Sequence, residues 1–244
     1  MEIQVSLISE AKQLGAAYFG IANLAPSCQG AVTPYEAKLI TEFPVAVSIG
    51  VPLSDAVINS LANQSDRFAL QNYRYHAFDM VDPLLNIIIL RLSNILMENG
   101  FLALSVPPGK TMDTDKHYGL FSHKMAANLA GLGWIGKSCL LITPDRGPRV
   151  RWGTILTNAP LATDKPIQEE HCGNCLLCVE GCPAHAFTGQ TFKTYEGREV
   201  RMDVAKCYHY VQVERMNTIG VNVCGLCVYV CPFGRGTDNT VRIA

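Results

Sequence analysis

Apolar positions at Ile3, Leu7, Ala11 and Leu14 recur at helical spacing, and Gly15 marks the end of that face. The apolar run from Tyr18 to Leu24 then reads as a buried strand, and Val45 to Val51 as a second. From about Ser54 to Asn99 the pattern is helical, with Pro83 expected to break or kink the run and Asp82 placed to cap its second half. Gly100 closes it, Phe101 to Val106 predicts a strand, and Gly119 to Ala130 a further helix. Cys139 to Thr143 and Val150 to Thr157 read as two strands joined by the turn Pro144-Asp145-Arg146-Gly147-Pro148. This alternation predicts an α+β chain whose front is an α/β layer sandwich. Pro160 to Pro166 reads as a linker, separating a front domain of residues 1–166 from a second of 167–236 and a tail of 237–244.

Composition and charge narrow the function classes. The 244 residues suffice to bury a core, and a net charge of −1 offers no basic field to nucleic acid. The opening Met1-Glu2-Ile3-Gln4 lacks the basic and apolar regions of an export signal. The apolar stretch Leu84 to Leu96 is interrupted by Asn86, Arg91, Ser93 and Asn94, so a buried helix is expected and no membrane partner. Cysteines phased for metal ligation rather than for disulfides indicate a reducing cytoplasm and an anaerobic habit.

Ten cysteines are present, and eight fall into two phased arrays. The first is Cys172-x2-Cys175-x2-Cys178-x3-Cys182-Pro183; the second is Cys207, then Cys224-x2-Cys227-x3-Cys231-Pro232. This is the ligand run of a two-cluster bacterial ferredoxin, in which the fourth cysteine of each array crosses to the other cluster. It predicts one [4Fe–4S] cluster on Cys172, Cys175, Cys178 and Cys231, and another on Cys182, Cys207, Cys224 and Cys227. Two-residue gaps wrap three thiolates around one face of a cubane, and the proline turns the chain away. Zinc also takes paired Cys-x2-Cys units, but this run suits it poorly. Cys28 and Cys139 lie outside the arrays and read as buried thiols.

Residues 131–138, Gly-Leu-Gly-Trp-Ile-Gly-Lys-Ser, satisfy both the dinucleotide fingerprint and the P-loop pattern. Both motifs require a strand before the glycines and a helix after them, so that the helix N-terminus meets phosphate. Here a helical segment precedes and a strand comes after, which argues against either nucleotide site. A glycine-rich turn and a cofactor-contact loop both remain open. Lys137, Arg146, Arg149 and Arg151 surround it, as a site for an anionic group or as a solvated rim.

Gly131-Leu132-Gly133-Trp134-Ile135-Gly136-Lys137, continuing into Leu141-Ile142-Thr143-Pro144, resembles the corrin-contacting loop of epoxyqueuosine reductases. Gly147-Pro148-Arg149-Val150-Arg151 and Leu156 to Leu161 resemble the matching stretch of reductive dehalogenases. The resemblance implies a nitroreductase-like cobalamin domain followed by a two-cluster ferredoxin module. It implies that Gly131, Gly133, Trp134, Ile135, Gly136, Lys137 and Arg149 contact the corrinoid. Electrons from a ferredoxin or flavodoxin would pass through both clusters to cobalt and on to a small-molecule substrate. Alternatively the chain reduces the corrinoid of a partner protein, or its front domain holds FMN with the phosphate on Lys137 or the nearby arginines.

Departures from the resemblance matter equally. Where epoxyqueuosine reductases carry a proton-donating aspartate, this chain has His117, followed by Tyr118. His117 reads as proton donor, as axial ligand to cobalt, or as a plain loop histidine, and Tyr118 as an alternative acid. A nearly neutral chain that ends soon after the second array also argues against tRNA as substrate. Tyr73, Tyr75 and His76 read as helix positions able to border a pocket, and His171 and His185 as loop histidines flanking the first array.

Overall fold

The structure is a computed structural model describing residues 2–25, 34–167, 169–194 and 196–235. Helix α1 (Glu2–Gln13) leads into β1 (Tyr18–Asn23), α2 (Pro34–Glu42) and β2 (Val45–Pro52). Next come α3 (Asp55–Asn59), α4 (Arg67–Arg74), α5 (Asp82–Glu98) and β3 (Ala103–Val106). Helix α6 (His123–Leu129), the short β4 (Trp134–Ile135) and β5 (Leu141–Ile142), and β6 (Val150–Thr157) complete the front part. In the remainder α7 (Leu177–Glu180) and α10 (Leu226–Tyr229) are single turns, while α8 (Val204–His209) runs through a π segment, Tyr210–Glu214, into α9 (Arg215–Thr218).

The main sheet is antiparallel throughout, in the order β1-β2-β6-β3. Its register pairs Ala46 with Leu156 and Val47 with Ile155. Because strand side chains alternate, these pairs face opposite ways. Val47, Ile49 and Ile155 pack with Leu7 of α1 and Leu85, Ile88, Ile89 and Leu92 of α5. Ala46 and Leu156 pack with Leu39 and Ile40 of α2 and Ala126 and Leu129 of α6. Both faces are covered, which gives a helix–sheet–helix sandwich. At Gly153 an added Cβ would meet Ile89 Cδ1 at 2.8 Å, so the missing side chain is what lets α5 lie so close.

Three expectations change. The long helical stretch is divided: Asp66 caps α4 by accepting from the backbone N–H of Phe68 and Ala69. From Tyr75 to Val81 the winding is π, so Pro83 does not break the run. A proline ring clashes with the carbonyl four residues earlier, and the wider π turn displaces that carbonyl. Asp82 is consequently helical and makes no cap. The continuous run Arg67–Glu98 is long and apolar enough, by length and composition, to cross a bilayer. Its inner face is nevertheless taken by the sheet, as the burial of Leu85, Ile88, Ile89, Leu92 and Leu96 shows. Finally, Leu141–Ile142 pairs with Trp134–Ile135 as a separate hairpin, while the turn after it closes through the Thr143–Gly147 bridge.

The cysteine-bearing segment docks on the front part. Val221, Val223 and Val228 share one apolar core with Ile58, Leu61 and Leu70. Arg215, 5 % exposed, ties the same seam by donating to the carbonyls of Val223 and Gln64.

Candidate metal centres and the adjoining cavities

All nine described cysteines are free, and Cys28 lies outside the described residues. Cys172 and Cys175 are joined by a tight backbone turn, Cys178 sits on α7, and Cys231 arrives from the chain after α10. Burial pushes the Cys178 thiol up to about 11, reinforced by the charges of Cys172 and Cys175. Burial likewise pushes Cys231 up to about 12, against a backbone hydrogen bond from Phe233 and with the charges of Cys172, Cys178 and Cys175. A second group forms where α8 presents Cys207 and α10 presents Cys227 beside Cys182 and Cys224. Cys207 is raised to about 11 by burial and by Cys182 and Cys224. Cys227 is raised by burial and by Cys224, Cys207, Cys178 and Cys182, so Cys178 of the first group is near enough to act on it electrostatically.

Bringing many thiols together without water favours their protonated state, and a metal cluster relieves that by taking them as thiolates. Among the described residues no three His, Cys, Asp or Glu side chains are drawn together tightly enough for a single metal ion. Thiols around a cubane stand farther apart than thiols on one zinc, because irons and sulfides lie between them. The donor set therefore fits [4Fe–4S] clusters.

The glycine loop serves this array. A Cβ on Gly133 would stand 2.2 Å from the Ile142 carbonyl oxygen, and one on Gly131 2.4 Å from that of Lys165. A Cβ on Gly136 would approach Cys172 Sγ to 3.3 Å. Trp134 is wedged edge-on between His171 and Phe233, with both ring centroids at 4.9 Å. Its buried indole N–H has no oxygen or nitrogen partner among the described residues and is directed at Cys172, where cluster sulfur would satisfy it. Lys137, 6 % exposed, donates to the carbonyls of Gly173 at 2.6 Å and Cys175 at 3.3 Å. Gly131, Gly133, Trp134, Gly136 and Lys137 thus pack on the first cysteine array and the linker. Arg149 is 2 % exposed and bonded at 2.8 Å to Asp55, which also takes Arg146. Both are fixed within the protein because Asp55 of α3 faces the turn after β5.

Two cavities lie nearby, and of these the first is walled by cluster cysteines. One of about 570 Å³ has Cys182, Cys207, Cys224 and Cys227 on one wall and Tyr73, Phe78, Asp82 and Arg151 on another. Arg151 Nε donates to Asp82 Oδ1 at 2.9 Å, its Nη2 reaches the second carboxylate oxygen, and its guanidinium lies 4.5 Å from the Phe78 ring. The second cavity, about 430 Å³, shares Gly109 and Lys110 with the first. It is lined by both predicted candidates, His117 and Tyr118, and by Ile135 of the glycine loop.

His117 takes φ 54°, stacks on Tyr208 at 4.3 Å, and its carbonyl accepts from Arg198. Tyr118 donates to Glu199; burial pushes its phenol up to about 12, reinforced by that hydrogen bond. Sequence reasoning missed His123 and Lys124, although Ser122 before them carries the N-cap signal by accepting from Met125 N–H. His123 Nδ1 lies 2.8 Å from Thr154 Oγ1, and burial holds its imidazole down to about 4. Lys124 donates to the carbonyl of Cys139 at 2.6 Å, and burial lowers its ammonium below the usual range. Elsewhere, Tyr73 is buried on the large cavity, His76 accepts from the Ser54 N–H, and His185 holds φ 46°.

Residues 171–234 match the family described as a 4Fe-4S double cluster binding domain. Over 124 residues the chain is 34% identical to epoxyqueuosine reductase of Bacillus cereus, covering 49% of this chain and 31% of that protein. Over 119 residues it is 37% identical to tetrachloroethene reductive dehalogenase of Sulfurospirillum multivorans, covering 44% of this chain and 22% of that one. The chain therefore spans about a third or less of these relatives' length. In three dimensions it resembles a B12-dependent reductive dehalogenase at TM-score 0.66 and 22% identity, over 95% of this chain and 32% of the other. It also resembles an epoxyqueuosine reductase solved with an epoxyqueuosine-modified tRNA-Tyr stem loop, at TM-score 0.62 and 21% identity, over 96% of this chain and 66% of the other. The expectation against tRNA finds no support in such a relative. Over about half its length this chain is similar to epoxyqueuosine reductases and a reductive dehalogenase, and its residues 171–234 match a 4Fe-4S double cluster binding domain.

Proposed function

We propose that the protein is a cytoplasmic iron–sulfur oxidoreductase that passes electrons through two [4Fe–4S] clusters to a corrinoid. Residues 1–166 form its nitroreductase-like seat and residues 167–236 the electron feed. One observation carries this reading: the four thiols of the second group form a wall of the 570 Å³ cavity, so a redox group held there lies directly against a cluster. The electrostatic reach of Cys178 to Cys227 supports transfer from the first cluster to the second. A ferredoxin or flavodoxin would supply the first.

The cavity lining suits a corrinoid. Asn86, Gln212 and Asn222 offer carboxamides to the amide-bearing rim of a corrin. No described histidine or methionine lines it to bind cobalt from below. When bound, a corrinoid supplies a low-valent cobalt able to reduce substrate. The anchors expected for an FMN phosphate are instead engaged: Lys137 with carbonyls, Arg146 and Arg149 with Asp55, and Arg151 with Asp82.

The chain's own residues would handle the proton and the substrate from the second cavity. Tyr118 keeps its phenolic proton at neutral pH, and Glu199 fixes the orientation of its hydroxyl. His117, held by its stacking on Tyr208 and by Arg198 on its carbonyl, lines the same cavity with an imidazole whose ring nitrogens can give or take a hydrogen bond. Either group serves a small-molecule substrate bound there.

Anaerobic reconstitution with iron and sulfide, with cobalamin and FMN offered together, tests the reading by visible spectrum. Retention of cobalamin, with Co(II) and Co(I) bands on reduction, supports it. Retention of FMN alone, or cluster absorption alone, overturns it; the latter outcome leaves a carrier that reduces a partner's corrinoid.

A further inference from the structure

The 430 Å³ cavity holds a charge that the protein leaves unanswered. Arg201 is 5 % exposed, forms no ion pair with a described residue, and its Nε has no hydrogen-bond partner. Its guanidinium lies 4.7 Å from the ring of Phe192, another lining residue. Lys124 and Arg198 stand beside it, also on the cavity wall. Arg198 spends its terminal nitrogens on the carbonyls of Lys116 and His117, pairs with Glu199 at 3.9 Å, and leaves its Nε without a hydrogen-bond partner among the described residues. Lys124 feels both guanidiniums as repulsive neighbours. Of the two carboxylates on the lining, Glu196 accepts through Oε1 from Lys193 at 3.1 Å and forms no ion pair with Arg201, its Oε2 being buried without a hydrogen-bond partner among the described residues, and Glu36 has a partner of its own.

A buried cation without a counter-charge is costly, and a preorganised guanidinium fork matches an oxyanion. Phe121, Met125, Ile135 and Phe192 supply apolar surface among the polar side chains of the lining, and the volume is that of a small-ligand pocket. We propose that this cavity binds a small organic acid, its oxyanion head (carboxylate or phosphate) on Arg201 with Lys124 and Arg198 beside it, and its apolar body against Phe192 and Phe121. That the acid is the substrate rests on the function proposed above; the binding itself does not.

The test is calorimetric titration of the anaerobically reconstituted iron–sulfur protein, without cobalamin, with phenylacetate, phenyl phosphate and neutral phenylacetamide. Either anion should bind at least about tenfold more tightly than the amide, and the tighter of the two identifies the head group. Arg201→Gln should remove that preference while the iron content stays at the wild-type level, and Arg201→Lys should restore part of it. Equal affinity for acid and amide in the wild-type protein overturns the proposal, as does an Arg201→Gln protein of full iron content that keeps the preference. If Arg201→Gln does not accumulate as folded protein, the wild-type comparison of acid with amide decides alone. Because cobalamin is omitted, this outcome is independent of the spectrum that tests the corrinoid.

Discussion

Crossed sharing of cysteines between the two clusters, as proposed from their spacing, predicts an outcome that no uncrossed arrangement shares. Cys231 lies 59 residues after Cys172 in sequence but stands with it, Cys175 and Cys178, all of which contribute to its raised thiol. Replacing Cys172 and Cys231 together by alanine should therefore remove two ligands from one cluster and none from the other. The intact protein should hold about eight irons per chain, and the double variant about four, since each cubane carries four. If each cluster instead used the cysteines of its own array, the same double variant would damage both and hold close to none. The surviving cluster should sit on Cys182, Cys207, Cys224 and Cys227, so adding Cys224→Ala should take the remainder. Iron and acid-labile sulfide counts on anaerobically reconstituted protein, with electron paramagnetic resonance after dithionite reduction, read the outcome. Loss of all iron in the Cys172→Ala, Cys231→Ala protein would refute the pairing, and so would retention of about eight irons.

Asp55→Ala leaves Arg146 and the 2 %-exposed Arg149 side chain without their shared carboxylate. Breaking a buried pair costs about 3–5 kcal/mol, and the 43 % exposure of the Asp55 side chain places this case at the lower end. In a chain of this size that is a fall in Tm of about 6–12 °C, read by anaerobic thermal melting; an unchanged Tm would contradict the packing. Gly133→Val should cost more than the roughly 1–3 kcal/mol of ordinary overpacking, because its Cβ would stand 2.2 Å from the backbone oxygen of Ile142. Loss of iron from the first array should accompany it, and wild-type iron content and melting would show the loop to be more tolerant than its geometry implies. For His123, burial holds the folded pKa at about 4 against an ordinary 6.5. Its contribution is full above about pH 6.5 and declines as pH falls toward 4, because the unfolded chain takes up a proton that the fold refuses. Wild-type protein should therefore lose more Tm than His123→Gln between about pH 7.5 and pH 5; parallel losses would refute the assignment.

Much of this protein was legible in its residue order because the interactions concerned are local. Three thiols within one turn and a half of chain define a cluster half-site, and the alternation in Val45 to Val51 separates the two faces of a strand whatever lies beyond it. The helix after Ser122 and the turn at Thr143–Gly147 were readable for the same reason. The tertiary structure decided what depends on distant partners. Pairing of Arg149 with Asp55 spans 94 residues and that of Arg151 with Asp82 spans 69, and no sequence period connects them. Those pairings removed the arginines from the set of free anion sites. Packing of β4 on β5 turned the glycine loop toward the first cysteine array, although its motif equally fits a cofactor contact. Arg201 and Lys124 belong to segments 77 residues apart and meet only where the cluster segment folds back on α6. Residue order decides which groups are available, whereas the fold decides which of them neutralise one another. A binding site is made of the groups that remain.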